Sequence, residues 1–118
     1  MTDNKIIQVA ESFKLPVGNQ RIYENEVEDY NYIIIRKGTL KKNNCGSYVR
    51  TIEIIYVYDG EQTIKDSEII KAFEDINLRF IQMDPDDIKV GDTNKWVDMN
   101  TYIFERPERI QWAIINYL

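Results

Sequence analysis

The sequence predicts an α+β fold, in which an antiparallel or mixed sheet of four to five strands carries one long β-hairpin and has helices packed on one face. Two observations predict it, and a third bounds the domain. Segments rich in β-branched and aromatic residues alternate in polarity, most clearly at Tyr48–Tyr58, as strands do. Two other segments repeat apolar residues every three or four positions, as helices do. Without a linker between these segments, we expect one domain over residues 1–118, with residues 110–118 as a C-terminal extension.

The composition is typical of a globular protein. The chain has 118 residues, of which 43% are hydrophobic and 30% charged, which suits one folded core rather than a disordered chain. No apolar run approaches the roughly 20 residues that a membrane helix needs. Residues 1–5 lack the basic and apolar regions of a secretory signal. We therefore expect a protein of the cytoplasm that does not bind membranes.

The residue types argue against catalysis. Cys45 is the only cysteine, so an internal disulfide is excluded, and histidine, the commonest general base and zinc ligand, is absent. The five glycines match neither G-x-G-x-x-G nor the Walker spacing. We expect no catalytic, cofactor-binding or metal-binding residues. The net charge of -5 favours protein partners over nucleic acid or anionic lipid.

The first predicted element is a short helix. Its apolar residues recur at helical spacing: Ile6, Val9, Ala10 and Phe13. Thr2 or Asp3 is available to accept the first free amide hydrogens of this helix. Pro16 and Gly18 are expected to stop it, because proline lacks an amide hydrogen and glycine weakens helices.

Two strands and a hairpin follow in the prediction. Residues 21–27 and 32–37 are rich in β-branched and aromatic residues, and we expect these two strands to pair. The acidic residues 24–29 between their apolar parts are expected to form an exposed connection. Residues 39–47 are polar and contain Gly46, which favours the tip of a long hairpin.

The strongest predicted strand is Tyr48–Tyr58. Both of its faces carry apolar side chains, so it is expected to be central in the sheet. Asp59-Gly60 then turns the chain, and Asp66 or Ser67 is expected to cap the second helix. That helix has one apolar stripe: Ile69, Ile70, Phe73 and Ile76. We expect Phe73 and Ile76 to be buried against Ile52 and Ile54 of the strand.

The last predicted elements are a short strand, a loop and a long strand. Residues 79–83 form the short strand, and the acidic residues 84–87 form the loop. The closing strand covers residues 95–105, and Pro107 ends it. Its aromatic residues share one face and are expected to lie in the core: Trp96, Tyr102 and Phe104.

Two acidic groups have a chemical and a simpler interpretation. Asp84, Asp86 and Asp87 offer oxygens to a cation, but Ile88 and Gly91 break the spacing of a calcium loop, which favours a solvated loop. A second group could supply an acid/base pair: Glu24, Glu26, Glu28 and Asp29. Such pairs need an enclosed cleft, whereas four acids in one connection are usually solubilising.

Basic and aromatic residues interleave around the hairpin. They are Arg36, Lys37, Lys41, Lys42 and Arg50, near Tyr32, Tyr48 and Tyr56. Such a surface could stack the bases of a single-stranded nucleic acid. Thr39 and Leu40 stand where an RNP motif needs aromatic residues, so no sequence-specific nucleic acid is expected as a partner.

The order of elements resembles that of a known family, the tail terminator or tail completion proteins of long-tailed bacteriophages. The resemblance begins with Arg21-Ile22-Tyr23 and with Tyr30-Asn31-Tyr32 before the apolar Ile33-Ile34-Ile35. It continues with the strand Tyr48–Tyr58, the helix at residues 67–77 and the closing strand at residues 96–105. It covers about residues 1–106, so residues 107–118 lie beyond it.

The resemblance implies a structural virion protein that is not an enzyme. Family members form hexameric rings at the head-proximal end of the tail tube, so the implied partners are further copies, the tail tube protein and a head connector or stopper protein. The implied location is the host cytoplasm during assembly and then the virion tail. Another head-tail connector component, or a small single-stranded nucleic-acid-binding module, remains an alternative.

The expected interface lies in two segments of the chain. From the hairpin tip we select Leu40, Lys41, Lys42, Asn43 and Asn44. From the C-terminal extension we select Ile110, Ile114 and Tyr117, which recur at helical spacing and are too apolar to remain in water. This extension is expected to dock onto a neighbouring subunit, with packing on its own domain or disorder as the alternatives.

Overall fold

The computed structural model describes residues 3–20 and 30–109, which form two helices and one five-stranded sheet. The elements in chain order are α1 (Asp3–Glu11), β1 (Val17–Asn19), β2 (Tyr32–Lys42), β3 (Tyr48–Tyr58), α2 (Asp66–Glu74), β4 (Arg79–Lys89) and β5 (Trp96–Pro107). The spatial order of the strands is β1-β2-β3-β5-β4. β1 is parallel to β2, and the other neighbours are antiparallel. The predicted α+β class with a mixed sheet is confirmed.

β3 is the central strand, as predicted. It pairs with β2 on one edge and with β5 on the other, in both cases over almost its whole length. Ile52, Ile54 and Tyr56 point to the helix-covered face and are at most 1% exposed. Ile55 and Val57 point to the opposite face, where they form a smaller buried cluster with Val90 and Val97. The alternating apolar pattern of β3 therefore supplies core residues to both faces of the sheet.

The larger core lies between the helices and the sheet. Ile69 and Phe73 of α2 are fully buried, and the ring centroids of Phe73 and Phe104 lie 5.6 Å apart. From α1, Ile6 and Ala10 enter the same cluster. The predicted grouping is confirmed: Ile52, Ile54 and Phe73 are buried, and Ile76 is partly buried against them.

The prediction that Asp66 or Ser67 caps α2 is wrong. The helix begins at Asp66, and Lys65 precedes it without a side-chain cap. The Asp66 carboxylate instead accepts hydrogen bonds from the Tyr102 hydroxyl and, at 2.9 Å, from Gln62 Nε2. Burial and the bond to Asp66 raise the pKa of Tyr102, so this phenol stays a donor. Asp66 therefore connects the helix to β5 instead of satisfying its free amides.

The N-terminal segment also differs from the prediction. α1 ends at Glu11, before Pro16 and Gly18, because Lys14 adopts a left-handed φ of 65° that ends the helical path. Gly18 then lies in β1, a strand that the sequence pattern did not indicate. The strand expected at residues 21–27 and the acidic residues 24–29 lie outside the described residues.

Two predicted loops are strands. Residues 39–42 continue β2 up to the pair Lys42↔Tyr48, so the predicted hairpin tip began too early. Residues 84–87 lie inside β4, because β5 supplies hydrogen-bond partners for their backbone while their side chains stay in water. Val90 N donates to Lys95 O at 2.9 Å. The backbone groups of successive residues in an antiparallel strand point alternately toward and away from the partner strand, so the nitrogen of Pro85, which carries no hydrogen, points toward the outer edge of the sheet.

Trp96 was expected in the core, and that expectation is wrong. Tyr102 and Phe104 on the same face are fully buried, whereas Trp96 is 57% exposed. α2 begins where Asp66 meets Tyr102. Trp96 lies six residues earlier along β5, about 20 Å away at the rise of a strand, so α2 does not cover it.

Among the described residues, no helix is both long and apolar enough to cross a membrane.

The position of Phe73 leads to a stability prediction. Phe73→Ala should lower the free energy of unfolding by about 3 to 5 kcal/mol, because the change removes a fully buried ring and leaves a cavity against Phe104. Urea titration of the purified chain measures the loss. Glu74→Ala, one position along on the exposed side of α2, is the matched control and should change little. A loss below about 1 kcal/mol for Phe73→Ala would contradict this packing.

Candidate functional site

The turn of the β2–β3 hairpin is closed by Asn43. Its Oδ1 accepts hydrogen bonds from the backbone nitrogens of Cys45 and Ser47, both at 3.0 Å, and its own N donates to Ser47 O at 2.8 Å. Gly46 supplies a φ of 85° that other residues rarely adopt. Residues 41–47 are all exposed. We call residues 40–50 the hairpin arm, a structured projection rather than a loose loop.

A β-bulge decides which side chains of the arm share a face. The register shifts between Lys37 and Leu40, so two residues of β2 stand opposite Thr51. A Cβ on Gly38 would come within 3.2 Å of the Thr51 side chain, which favours glycine at this position. After the bulge, Leu40 and Lys42 pair with Arg50 and Tyr48 and lie on the helix-covered face, while Lys41 lies on the opposite face. The interface residues predicted from the hairpin are therefore divided between two faces.

Ion pairs fasten the elements at this end of the sheet. Arg50 donates through Nε and Nη2 to Glu108 Oε2, at 3.0 and 2.7 Å. Asp3 forms two ion pairs: one carboxylate oxygen lies 2.8 Å from Lys37 Nζ, and the other lies 2.9 Å from Arg106 Nη2. On the opposite face, Lys41 Nζ lies 2.9 Å from Glu105. Most cations of the hairpin end are thus held by carboxylates of the same chain.

Ion pairs lower the pKa of two of these carboxyl groups. The hydrogen bond from Lys37 lowers the pKa of Asp3, partial burial opposes the shift, and Arg106 adds to it. The hydrogen bond from Arg50 lowers the pKa of Glu108 in the same way. Both carboxylates therefore remain charged, and keep their ion pairs, under mildly acidic conditions.

The opposite end of the sheet is acidic. Asp84, Asp86, Asp87 and Asp98 make no ion pair with any described residue, and Asp87 stands directly opposite Asp98 in the β4–β5 register. Trp96 is exposed beside them. We call Trp96, Asp87 and Asp98 the acidic end. The strands thus join a basic end at the hairpin to an acidic end, and the polarity runs along the strand axis.

The acidic residues of β4 are not gathered around a common point. Asp84 and Asp86 lie on one face and Asp87 on the other, because side chains alternate along a strand. Residues 3–20 and 30–109 contain no group of three potential metal-ligating side chains close enough to hold an ion. Asp84 accepts hydrogen bonds from Gln82 Nε2 instead, at 3.0 and 3.2 Å.

Some candidates lie outside the described residues, and other features were missed. Ile110, Ile114 and Tyr117, and the acidic group Glu24, Glu26, Glu28 and Asp29, belong to segments that are not described. The ion pairs at the hairpin end gave no sequence signal, because Asp3 and Arg106 are 103 positions apart. The exposure of Trp96 gave none either, since an aromatic residue in a strand is usually buried.

Comparison of this sequence with protein-family models and with curated proteins found no match. The features of this chain that bear on function are its fold and the distribution of charge at the two ends of the sheet.

Glu108 leads to a prediction about pH. Its folded-state pKa lies below the ordinary value of 4.5, so its contribution to stability is complete above that pH and is lost as the pH falls through the folded value. Glu108→Gln should destabilise the chain at pH 7 and lose less stability than the wild type on acidification. Urea titrations across the acid range measure both effects. Glu74→Gln, an exposed carboxylate without an ion pair among the described residues, is the control; equal acid losses in the wild type and Glu108→Gln would contradict the assignment.

Proposed function

We propose that this protein is a structural subunit of a bacteriophage tail, a tail terminator that forms a ring at the head-proximal end of the tail tube. The observation that carries the proposal is the polarity of the sheet, with a projecting basic hairpin at one end and unpaired acids with an exposed tryptophan at the other. In the family that the sequence resembles, the ring is hexameric. Its partners are copies of itself, the tail tube protein and the head connector or stopper protein.

A ring needs two different complementary surfaces on each subunit. When the contact is heterologous and the rotation between subunits closes, each copy uses one surface toward each neighbour. The two ends of this sheet differ in charge and in shape, so they suit such a contact. The sheet is also rigid, because β3 is hydrogen-bonded on both edges and buried on both faces. This supports a role in assembly without a chemical step, first in the host cytoplasm and then in the virion tail.

Two alternatives share parts of this geometry. Another head-tail connector component would use a similar small domain and similar ring symmetry. A single-stranded nucleic-acid module is favoured by Lys42, whose Nζ lies 6.0 Å from the ring centroid of Tyr48. Against this module, Lys37, Arg50 and Arg106 already hold carboxylates of the same chain.

A single-stranded DNA column separates these alternatives. We expect the column to retain the protein weakly and with little dependence on salt concentration, whereas a steep loss of retention with salt would favour the nucleic-acid module.

Removal of the arm tip tests the proposed role. Replacing residues 42–48 by Asn-Gly joins Lys41 to Val49, which already face each other across the hairpin, through a two-residue turn. The free energy of unfolding should change by no more than about 1 kcal/mol, since loop length affects closure entropy only weakly. The shortened chain should remain monomeric at concentrations where the wild type forms a ring, as measured by light scattering after gel filtration.

The control for this experiment is Asn44→Ser, which keeps the length of the turn. It should assemble as the wild type does. A shortened chain that is folded and still forms the wild-type ring would contradict the role of the arm. A wild type that stays monomeric even with purified tail tubes would contradict the proposed function itself.

A further inference from the structure

Trp96 is exposed in a way that the fold does not require. It and Ile81 are the large hydrophobic side chains that are exposed among the described residues, at 57% and 39%. Exposed tryptophans with few neighbours are frequent at the centre of protein interfaces, because burying one removes a large apolar area from water. Trp96 begins β5, beside Lys89 of β4 and on the same face as Asp98. This part of the sheet therefore offers an apolar anchor next to negative charge.

The two acids beside Trp96 oppose each other. Asp87 and Asp98 are direct cross-strand partners, and like charges in that position destabilise a sheet. No described lysine or arginine forms an ion pair with either carboxylate, although Lys95 close by is paired with Asp59 at 2.6 Å. An external cation placed between Asp87 and Asp98 would relieve this repulsion.

The hairpin arm carries a cation that fits this description. Lys42 lies against the ring of Tyr48 and, unlike Lys41, has no carboxylate partner among the described residues. Both Lys42 and Tyr48 lie on the helix-covered face, the face that also carries Trp96, Asp87 and Asp98. Cations are attracted to the face of a tryptophan ring as well as to carboxylates. The arm and the acidic end are therefore complementary in charge and lie on the same side of the sheet.

One copy of the chain cannot bring these two surfaces together. Lys42 pairs with Tyr48 at one end of β3, and Asp98 pairs with Tyr58 at the other end. Ten residues of strand separate these positions by about 33 Å. The contact therefore requires a second copy.

We infer that the hairpin arm of one subunit docks onto the acidic end of its neighbour, with Lys42 between Asp87 and Asp98 and the arm covering Trp96. This inference rests on the proposed function, for which it names the contact between subunits. The contact is heterologous, since each copy offers its arm to one neighbour and its acidic end to the other. Where the rotation between neighbouring subunits closes, repetition of this contact forms the ring.

A disulfide experiment tests the contact directly. Asn44→Cys, two residues beyond Lys42 on the arm, and Lys89→Cys, opposite Trp96, are combined in a Cys45→Ser background, which leaves no other cysteine and keeps Lys42, Asp87 and Asp98. A disulfide needs Cα atoms within about 7 Å, so the two cysteines cannot join within one chain. Mild oxidation should produce a ladder of covalent oligomers up to the size of the ring on a denaturing gel. Each single cysteine variant in the same background is the control and should give no product beyond a dimer.

Charge reversal provides a second test that is independent of cysteine chemistry. Asp98→Lys replaces the repulsion with an attraction to Asp87, so the chain should be at least as stable as the wild type, yet its association should weaken by about tenfold or more. Lys42→Glu should weaken association similarly, and mixing it with Asp98→Lys should restore contacts. Trp96→Ala should also weaken association by about tenfold or more, without loss of stability. Sedimentation equilibrium measures association, and urea titration measures stability.

The possible results separate the two proposals. A ladder from the double cysteine variant, together with restored association in the charge-swapped mixture, supports the contact. A wild-type ring that survives Asp98→Lys and Trp96→Ala unchanged, with no ladder, overturns the contact and leaves the ring function standing. A wild type that is monomeric alone and with tail tubes, with no ladder, overturns both.

Discussion

The whole structure depends on the pairing of β3 along both of its edges. Its backbone is hydrogen-bonded to β2 and β5 from end to end, and its side chains enter the core on both faces. The backbone polar groups of this strand are hydrogen-bonded, and its apolar side chains are buried. A shift of one residue would move the buried side chains to the wrong face, so the register of the strand is fixed. The hairpin arm is rigid because it is the continuation of this strand, and the acidic end is held at a fixed distance from the arm for the same reason.

The helices are held by the sheet rather than by their own stability. Each has nine residues, which is too short for a helix to persist alone in water. Packing of Phe73 against Phe104 holds α2, and the hydrogen bond from Tyr102 to Asp66 orients its first turn. α1 is tied in through Asp3, which holds both Lys37 of β2 and Arg106 of β5. Polar contacts thus set the positions that apolar packing makes stable.

The same ion pairs neutralise much of the positive charge at the hairpin end. A phosphate-binding groove needs cations that exchange counterions freely, whereas Arg50 and Arg106 are committed to Glu108 and Asp3. Lys42 at the arm and the opposed pair Asp87 and Asp98 are exceptions to this internal neutralisation. The positive charge of Lys42 and the negative charges of Asp87 and Asp98 lie at opposite ends of one rigid sheet. This arrangement suits the proposed contact between copies.

The sequence alone determined the fold class, the central strand and the apolar stripe of α2, because the periods of a strand and of a helix are local properties of the chain. It did not determine where β2 and β4 end, since polar residues such as Lys41 and Asp86 extend a strand when a neighbour supplies hydrogen bonds. It also did not indicate that Asp66 would reach Tyr102 or that Trp96 would stay exposed. Tertiary structure decided both, because the environment of a side chain depends on which distant element packs over it. α2 covers β5 at Tyr102 and Phe104 and does not reach Trp96.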